Sequence, residues 1–166
     1  NSFYIVKKEL KNLIEKIRNA GDVAIRSTFI VGFPGETDEQ FQKLYDFIGE
    51  YKLNYAGFFA YSKEDGTAAA KLKNQIPQAV KNKRLKNITA LQSKVIFENN
   101  KNYVGKSLKV LYEGIDYDNN IFYGRPEFCA PEVDAKVLFS SDYLVNVGNF
   151  YDVKITGANG YDLVGE

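Results

Sequence analysis

The hydrophobic pattern of this chain changes near residue 102, and this change constrains the fold more than any other feature. Before that point, apolar residues recur at three- and four-residue spacing over long stretches, as amphipathic helices require. After it, apolar residues occur in short runs separated by turn residues, which is typical of small β-domains. The pattern therefore predicts two domains, residues 1–98 and residues 99–166.

The charge distribution supports this division. Residues 1–102 carry a net charge of +6 and residues 103–166 carry −5, although the whole chain carries only +1. A split of this kind indicates two modules that present different surfaces to their surroundings.

The composition excludes several classes of protein and site. The chain has no His and a single cysteine, Cys129, so it can form neither a His-ligated metal site nor an intrachain disulfide. We interpret Cys129 as a free and inert thiol. No apolar run approaches the ~20 residues that cross a bilayer, so we expect a cytoplasmic protein without a membrane partner. The Asn-Ser start and the lack of Met lead us to expect a piece of a longer protein.

The first domain is predicted to contain a βαβ unit. Periodicity and turn residues predict helices over 3–20, 38–51 and 77–98, and strands over 23–31 and 55–61. Strand, helix and strand joined by short connections imply a right-handed crossover and parallel pairing. Because two parallel strands cannot bury both faces alone, we expect further strands upstream.

A Gly-rich turn, GFPGET at residues 32–37, follows the first predicted strand. Thr37 and Gln40 have the spacing of a capping box that begins the next helix, and Glu36 reads as a first-turn residue near the helix dipole. Parallel α/β folds bind ligands at the carboxyl ends of strands, where Gly lets the backbone approach closely. Without further context, a purely structural turn remains the better explanation.

The third predicted helix lies in a basic segment. From Lys71 to Lys101 there are eight Lys or Arg residues and one acidic residue. A solvated helix face is the favoured interpretation, and a binding stripe is the alternative.

The second domain is predicted to be a small antiparallel five-stranded barrel of the oligonucleotide-binding type. The strands are expected over residues 108–112, 121–123, 137–139, 151–155 and 161–164.

Two motifs resemble the radical S-adenosylmethionine (SAM) methylthiotransferases. Residues 25–37, IRSTFIVGFPGET, resemble the family segment "lRttfIvGfPGEt", and residues 58–70, FFAYSKEDGTAAA, resemble "F-x-YS-x-E-x-GT-x-A". The C-terminal domain resembles the TRAM module of these enzymes. The resemblance implies an α/β plus all-β fold, in which the C-terminal part of a radical SAM partial (βα) barrel precedes a TRAM domain.

The resemblance also implies the chemistry of the intact protein. Family members hold a four-iron four-sulfur (4Fe-4S) cluster on upstream cysteines, and SAM bound to that cluster starts a radical reaction that inserts a methylthio group. A second, auxiliary cluster supplies the sulfur. Those cysteines are absent from this chain, so we expect the intact protein to be an enzyme and this chain alone to be inactive.

The matched positions contribute to the SAM pocket in the family. Arg26 is predicted to face the SAM carboxylate, and residues 30–34 to lie near the adenine. The alternatives are a salt-bridge role for Arg26 and a core role for Tyr61. The predicted cofactor-binding residues are Arg26, Ile30, Gly32, Phe33, Pro34, Tyr61 and Ser62.

The charge and the local sequence of the second domain together favour a protein substrate over RNA, although the charge alone leaves the two nearly equal. One branch of the family modifies adenosines of transfer RNA, and the RimO-type branch modifies an aspartate of the twelfth small-subunit ribosomal protein. A surface with a net charge of −5 repels a polyanion and attracts a basic protein. Residues 124–134, GRPEFCAPEVD, and residues 161–166, YDLVGE, resemble RimO-type segments. The predicted substrate-recognition residues are Arg125, Glu127, Glu132 and Asp134.

Two alternatives stay open at this point. A transfer-RNA methylthiotransferase shares the chemistry but binds RNA through its TRAM domain, so an RNA partner is possible although disfavoured. A non-enzymatic binding module, in which the first domain is only a scaffold, belongs to a different functional class.

Overall fold

The computed structural model describes residues 2–21 and 23–166, with side chains from residue 9 onward within those ranges. The first half, called the α/β half here, contains α1 (Ser2–Ala20), β1 (Arg26–Val31), α2 (Asp38–Tyr51), β2 (Tyr55–Ala60), a 3₁₀ turn (Ala69–Lys71) and α3 (Gln78–Lys101). The second half, called the barrel, contains β3 (Ser107–Asp116), β4 (Ile121–Pro126), β5 (Val137–Phe139), β6 (Phe150–Asn159) and β7 (Asp162–Gly165). Every predicted helix and strand is present, with ends that differ by a few residues.

Strands β1 and β2 pair in parallel, as predicted, from Arg26 opposite Tyr55 to Val31 opposite Ala60. One face of this two-stranded sheet packs against α2 and α3 and forms an apolar core. The most buried members of this core are Ile14, Val31, Phe47, Ile48, Tyr51, Leu53 and Ile88. The opposite face is open, because Ile30 and Phe59, which are paired in the register, are 54% and 62% exposed.

Helix α2 begins with the predicted capping box. The Thr37 hydroxyl accepts a hydrogen bond from the Gln40 N–H at 3.2 Å, and the Gln40 side chain accepts one from the Thr37 N–H at 3.0 Å. Both bonds satisfy N–H groups that have no partner inside the helix. The helix ends at Tyr51, and the next residue, Lys52, adopts the left-handed conformation with φ of 43°.

Helix α3 connects the two halves. It packs against α2 and β2 and also contacts β6 of the barrel. The predicted domain boundary between residues 98 and 99 lies in its last turn, since the helix ends at Lys101 and β3 begins at Ser107. Within the described ranges, no helix has the length and apolar character needed to span a lipid bilayer.

The barrel closes in the strand order β3-β4-β5-β7-β6, because β3 pairs with both β4 and β6. The prediction of a wholly antiparallel barrel is wrong, because β5 and β7 pair in parallel. The reason is arithmetic: strands that alternate in direction around a closed ring must be even in number. Five strands therefore require at least one parallel pair, and the β5–β7 pair meets that requirement.

The barrel interior is filled by apolar and aromatic side chains. The buried members are Val110, Tyr112, Val137, Phe139, Val153, Ile155 and Leu163. The Tyr112 ring meets Phe122 and Phe139 edge-to-face, with centroids 5.4 and 5.9 Å apart. Gly124 lies where β3 and β4 approach closely, because a Cβ atom at this position would overlap the Leu111 carbonyl oxygen.

Candidate functional site

The Gly-rich turn at the carboxyl end of β1 is held by its own hydrogen bonds. The Gly32 N–H donates to both carboxylate oxygens of Glu36, at 3.0 and 3.1 Å, and the Glu36 N–H donates to the Phe33 carbonyl at 2.9 Å. Gly32 and Gly35 have φ values of +73° and +85°, which only glycine adopts readily. Glu36 thus lies before α2 rather than in its first turn as predicted, and its carboxylate fixes the turn.

Two basic residues of α3 hold this turn through ion pairs, a hydrogen bond and packing. Arg84 Nη1 lies 2.7 Å from Glu36 Oε1, and Arg84 Nη2 lies 2.6 Å from Asp38 Oδ1. Lys81 Nζ donates to the Tyr61 carbonyl at 2.9 Å, and the stem of Lys81 packs so closely on Gly32 that a Cβ there would lie 2.5 Å from Lys81 Cγ. Both side chains are buried, so the favoured interpretation of a solvated basic helix face fails at these two positions.

The turn presents apolar side chains beside a buried tyrosine. The Phe33 ring is partly exposed and meets the Tyr61 ring edge-to-face, with centroids 5.3 Å apart. Tyr61 is a core residue, as the alternative interpretation held, and its hydroxyl has no hydrogen-bond partner among the described residues. Ile30 lies on the open face of the sheet just before the turn, and Pro34 is half-buried.

The second family-like motif forms the loop after β2. The Ser62 hydroxyl donates to Glu64 Oε1 at 2.8 Å, and the Thr67 hydroxyl donates to the Glu64 carbonyl at 2.8 Å. Gly66 has a φ of +83°. Matched positions of this motif therefore shape the loop, which follows directly on the carboxyl end of β2.

The structure brings together six of the seven predicted cofactor-binding residues, namely Ile30, Gly32, Phe33, Pro34, Tyr61 and Ser62, near the carboxyl ends of β1 and β2. Arg26 lies at the amino end of β1 instead. Its guanidinium forms an ion pair with Asp134 of the barrel and lies over the Tyr55 ring, 5.1 Å from the centroid. The structure thus gives Arg26 the salt-bridge partner that the alternative interpretation expected.

The predicted substrate-recognition residues divide into two groups. Asp134 and Arg125 have partners within the chain: Asp134 is buried against Arg26, and Arg125 Nε lies 2.7 Å from Glu113 Oε1. The segment after β4 exposes Glu127 and Glu132 to solvent. Of the four predicted residues, Glu127 and Glu132 are the two that are exposed and form no ion pair with another described residue.

The junction between the halves contains the only cysteine of the sequence. Cys129 is buried, and its sulfur lies 3.1 Å from the Tyr55 hydroxyl. Burial raises the pKa of the Cys129 thiol to about 11 and also raises the pKa of the Tyr55 phenol. A thiol of this kind is protonated at neutral pH, which agrees with its interpretation as free and inert.

The described residues hold no group of three or more His, Cys, Asp and Glu side chains arranged for a metal ion. Cys129 alone cannot hold an iron–sulfur cluster, because a cluster takes three or four thiolate ligands and the sequence has one cysteine.

Comparison with known proteins identifies both halves. Residues 104–166 match the TRAM domain family. Relatives named ribosomal protein uS12 methylthiotransferase RimO include those of Thermoanaerobacter sp. (strain X514), 41% identical over 160 residues, and Alkaliphilus oremlandii (strain OhILAs), 47% identical over 159 residues. Over 95–96% of its length, this chain is similar to part of the RimO methylthiotransferases. The RimO protein of Pelotomaculum thermopropionicum is 43% identical over 162 residues. These alignments cover 95–96% of this chain but 36% of each relative, so the chain spans about a third of their length.

Proposed function

We propose that the intact protein is a radical SAM enzyme that adds a methylthio group to an aspartate of ribosomal protein uS12. In this proposal the present chain supplies the C-terminal part of the catalytic barrel and the TRAM domain. The observation that carries the proposal is an identity of 38–47% to relatives named for this activity, over at least 95% of the chain.

The carboxyl ends of β1 and β2 would hold the adenosine part of SAM. Exposed apolar groups of Ile30 and Phe33 suit contact with a purine ring, and Gly32 lets the backbone approach it closely. The Tyr61 hydroxyl is buried without a partner, so it is a donor available to a bound ligand. SAM would supply radical, hydrogen-abstracting chemistry when a reduced cluster held outside this chain gives it one electron, and these residues would bind and orient it.

The same proposal assigns Arg26 to the junction between the halves. Its partner Asp134 is buried, with a side-chain exposure of 3%, and would be left as an unpaired buried carboxylate if Arg26 turned to the SAM carboxylate. Pro34 and Ser62, the remaining cofactor-binding residues predicted from the family motifs, would complete the SAM site at the carboxyl ends of β1 and β2.

The iron–sulfur ligands would come from parts of the protein outside this chain, because its single cysteine cannot supply the three or four thiolates that a cluster needs. We therefore expect the 166-residue chain by itself to show no cluster absorbance after reconstitution and no methylthiotransferase activity. A coloured, cluster-loaded chain would contradict this assignment.

The TRAM domain would recognise the protein substrate. Residues 103–166 carry a net charge of −5, which attracts a basic ribosomal protein and repels the phosphates of RNA. The exposed carboxylates of Glu127 and Glu132 lie on the segment that joins β4 to β5 and are available for such contacts.

A product assay on the full-length, cluster-reconstituted enzyme tests the proposal. The enzyme is given SAM, a sulfur source and a reductant, with either ribosomal protein uS12 or transfer RNA, and each product is analysed by mass spectrometry. We expect a methylthio mass gain on an aspartate of the protein. A gain on RNA alone would assign the enzyme to the transfer-RNA branch, and no product with either substrate would favour a binding module.

A further inference from the structure

A cleft of about 500 Å³ lies between the α/β half and the barrel. Its walls come from three directions: the sheet, helix α3 and the barrel. The residues of α3 and the barrel that line it include Thr89, Gln92, Ile96, Val133, Tyr161 and Asp162. Along the sheet, the cleft follows residues 55–59 of β2.

The edge of β2 that faces away from β1 has unpaired backbone groups. The Tyr55 N–H donates to the Ile25 carbonyl and the Tyr61 N–H to the Val31 carbonyl, so alternate residues starting at Tyr55 point towards β1. Ala56 lies between these positions, and its N–H and C=O therefore point to the other edge, as do those of Phe58. These groups have no hydrogen-bond partner among the described residues.

A buried side-chain oxygen in the wall of the cleft also has no hydrogen-bond donor among the described residues. Gln92 of α3 is 2% exposed, and its Nε2 donates to the Leu53 carbonyl at 3.2 Å. Its Oε1 has no partner within the described part of the chain. A buried carbonyl oxygen without a donor is unfavourable, so an incoming N–H group would be stabilised here.

We propose that an extended segment of the protein substrate pairs with this free edge of β2 and adds a third strand in the cleft. The proposal rests on the proposed function, since it names where that substrate would bind. A polypeptide backbone presents alternating N–H and C=O groups at strand spacing, which matches the groups on Ala56 and Phe58. A nucleic acid presents no such ladder, so this edge selects a protein over RNA.

The surroundings of the edge favour a basic, partly apolar segment. Val133 is 75% exposed beside the cleft, and Tyr161 is partly exposed, so both offer surface to alternate side chains of an added strand. Asp134 neutralises the charge of Arg26. Asp162 is then the remaining charged residue that lines the cleft, and its carboxylate suits a cationic side chain of the substrate. The net charge of −5 on residues 103–166 acts in the same direction.

A proline at position 56 tests the edge directly. Ala56→Pro removes the cleft-facing N–H but no bond of the β1–β2 ladder, because the Ala56 N–H does not point towards β1. In the full-length, reconstituted enzyme, we expect the KM for uS12 to rise about tenfold relative to Ala56→Ser, which keeps the N–H, with kcat changed little. Equal KM values for the two variants would overturn the proposal.

Hydrogen exchange supplies a second measurement that does not depend on a variant. In the full-length enzyme, the amides of Ala56 and Phe58 should exchange rapidly and become protected when uS12 is added. Protection before any substrate is added would mean that another segment of the protein occupies the edge, and protection by transfer RNA alone would mean that RNA does. Either result overturns the proposal.

These outcomes are separate from failure of the proposed function. If the wild-type enzyme does not modify uS12, the proposed function is wrong. If it modifies uS12 and Ala56→Pro performs as well as Ala56→Ser, only the edge pairing is wrong.

Discussion

The two halves of this molecule differ in whether the edges of their strands are paired. In the barrel, every strand pairs with two neighbours, and the ring leaves no free edge. In the α/β half, the two described strands pair only with each other, and the open face between them exposes Ile30 and Phe59. The barrel therefore satisfies its own backbone, whereas the α/β half keeps polar edges and an apolar face available to other segments or ligands.

The halves also differ in what holds them together. The barrel interior is apolar and aromatic, and its tightest point is a glycine contact at Gly124. In the α/β half, the Gly-rich turn at the carboxyl end of β1 is held by buried charges, because Arg84 pairs with Glu36 and Lys81 donates to the Tyr61 carbonyl. Substitutions in the α/β half should therefore lower stability by leaving a buried charge unpaired, and substitutions in the barrel should lower it by steric overlap.

The largest effect is expected at Arg84. Arg84→Met would leave the Glu36 carboxylate, whose side chain is 13% exposed, without its charged partner. We expect a loss of about 3 kcal/mol in the free energy of unfolding, measured by urea denaturation. Asp38→Asn is the matched control, because Asp38 pairs with the other terminal nitrogen of the Arg84 guanidinium. Since the Asp38 side chain is 96% exposed, this substitution should lower the free energy of unfolding by less than about 1 kcal/mol. Equal losses would mean that burial does not decide the effect.

The next effect is expected in the barrel. In Gly124→Ala, the new methyl group would overlap the Leu111 carbonyl, so we expect a loss of about 2 kcal/mol. Gly157→Ala in β6 is the control, because a Cβ there meets nothing within 4 Å and should change stability by less than about 1 kcal/mol. Thermal unfolding compares the two variants, and a larger loss at Gly157 would contradict the packing described for β3 and β4.

A smaller effect is expected where the halves meet. Arg26→Gln leaves the Asp134 carboxylate, whose side chain is 3% exposed, with the Ala130 N–H but without its cation. Because the arginine is 44% exposed and glutamine can still donate a hydrogen bond, we expect a loss of about 1.5 kcal/mol by urea denaturation. Lys52→Gln, which removes a fully surface-exposed pair with Glu98, should cost less. In the full-length enzyme, calorimetry should find SAM affinity unchanged by Arg26→Gln. A clear loss of SAM affinity would indicate instead that Arg26 binds SAM.

The smallest effect concerns pH. Cys129 has a pKa raised to about 11 by burial, whereas the unfolded thiol ionises near 9.0. Its contribution to stability is therefore fully present below about pH 9 and is lost as pH rises towards about 11. Cys129→Ala should show a shallower decline across this range. The Tyr55 pKa is raised mainly by burial and also by its hydrogen bond to Cys129, so the difference between the two proteins reports the Cys129–Tyr55 pair. Parallel pH profiles would show that the thiol does not contribute.

Local features of the fold could be predicted from the sequence because short-range chemistry determines them. The spacing of Thr37 and Gln40 determines the start of α2, and the βαβ pattern determines the parallel pairing of β1 and β2. The family-like motifs also placed six candidate residues at one edge of the sheet.

Long-range partners could not be predicted in this way. The sequence around Lys81 and Arg84 is basic throughout, and nothing local shows that these two side chains turn inwards to the Gly-rich turn. Arg26 meets Asp134 across 108 positions, so its partner depends on how the barrel packs against the sheet. The parallel β5–β7 pair follows from ring closure, which a count of short strands does not reveal.

Separating the two halves tests their difference most directly. Residues 103–166 and residues 1–102 would be produced individually and compared by amide NMR spectra and thermal unfolding. We expect the barrel to give a dispersed spectrum and a cooperative transition, and the α/β half to give neither, because its open face and free edges lack partners. A well-folded α/β half beside an unfolded barrel would contradict this account.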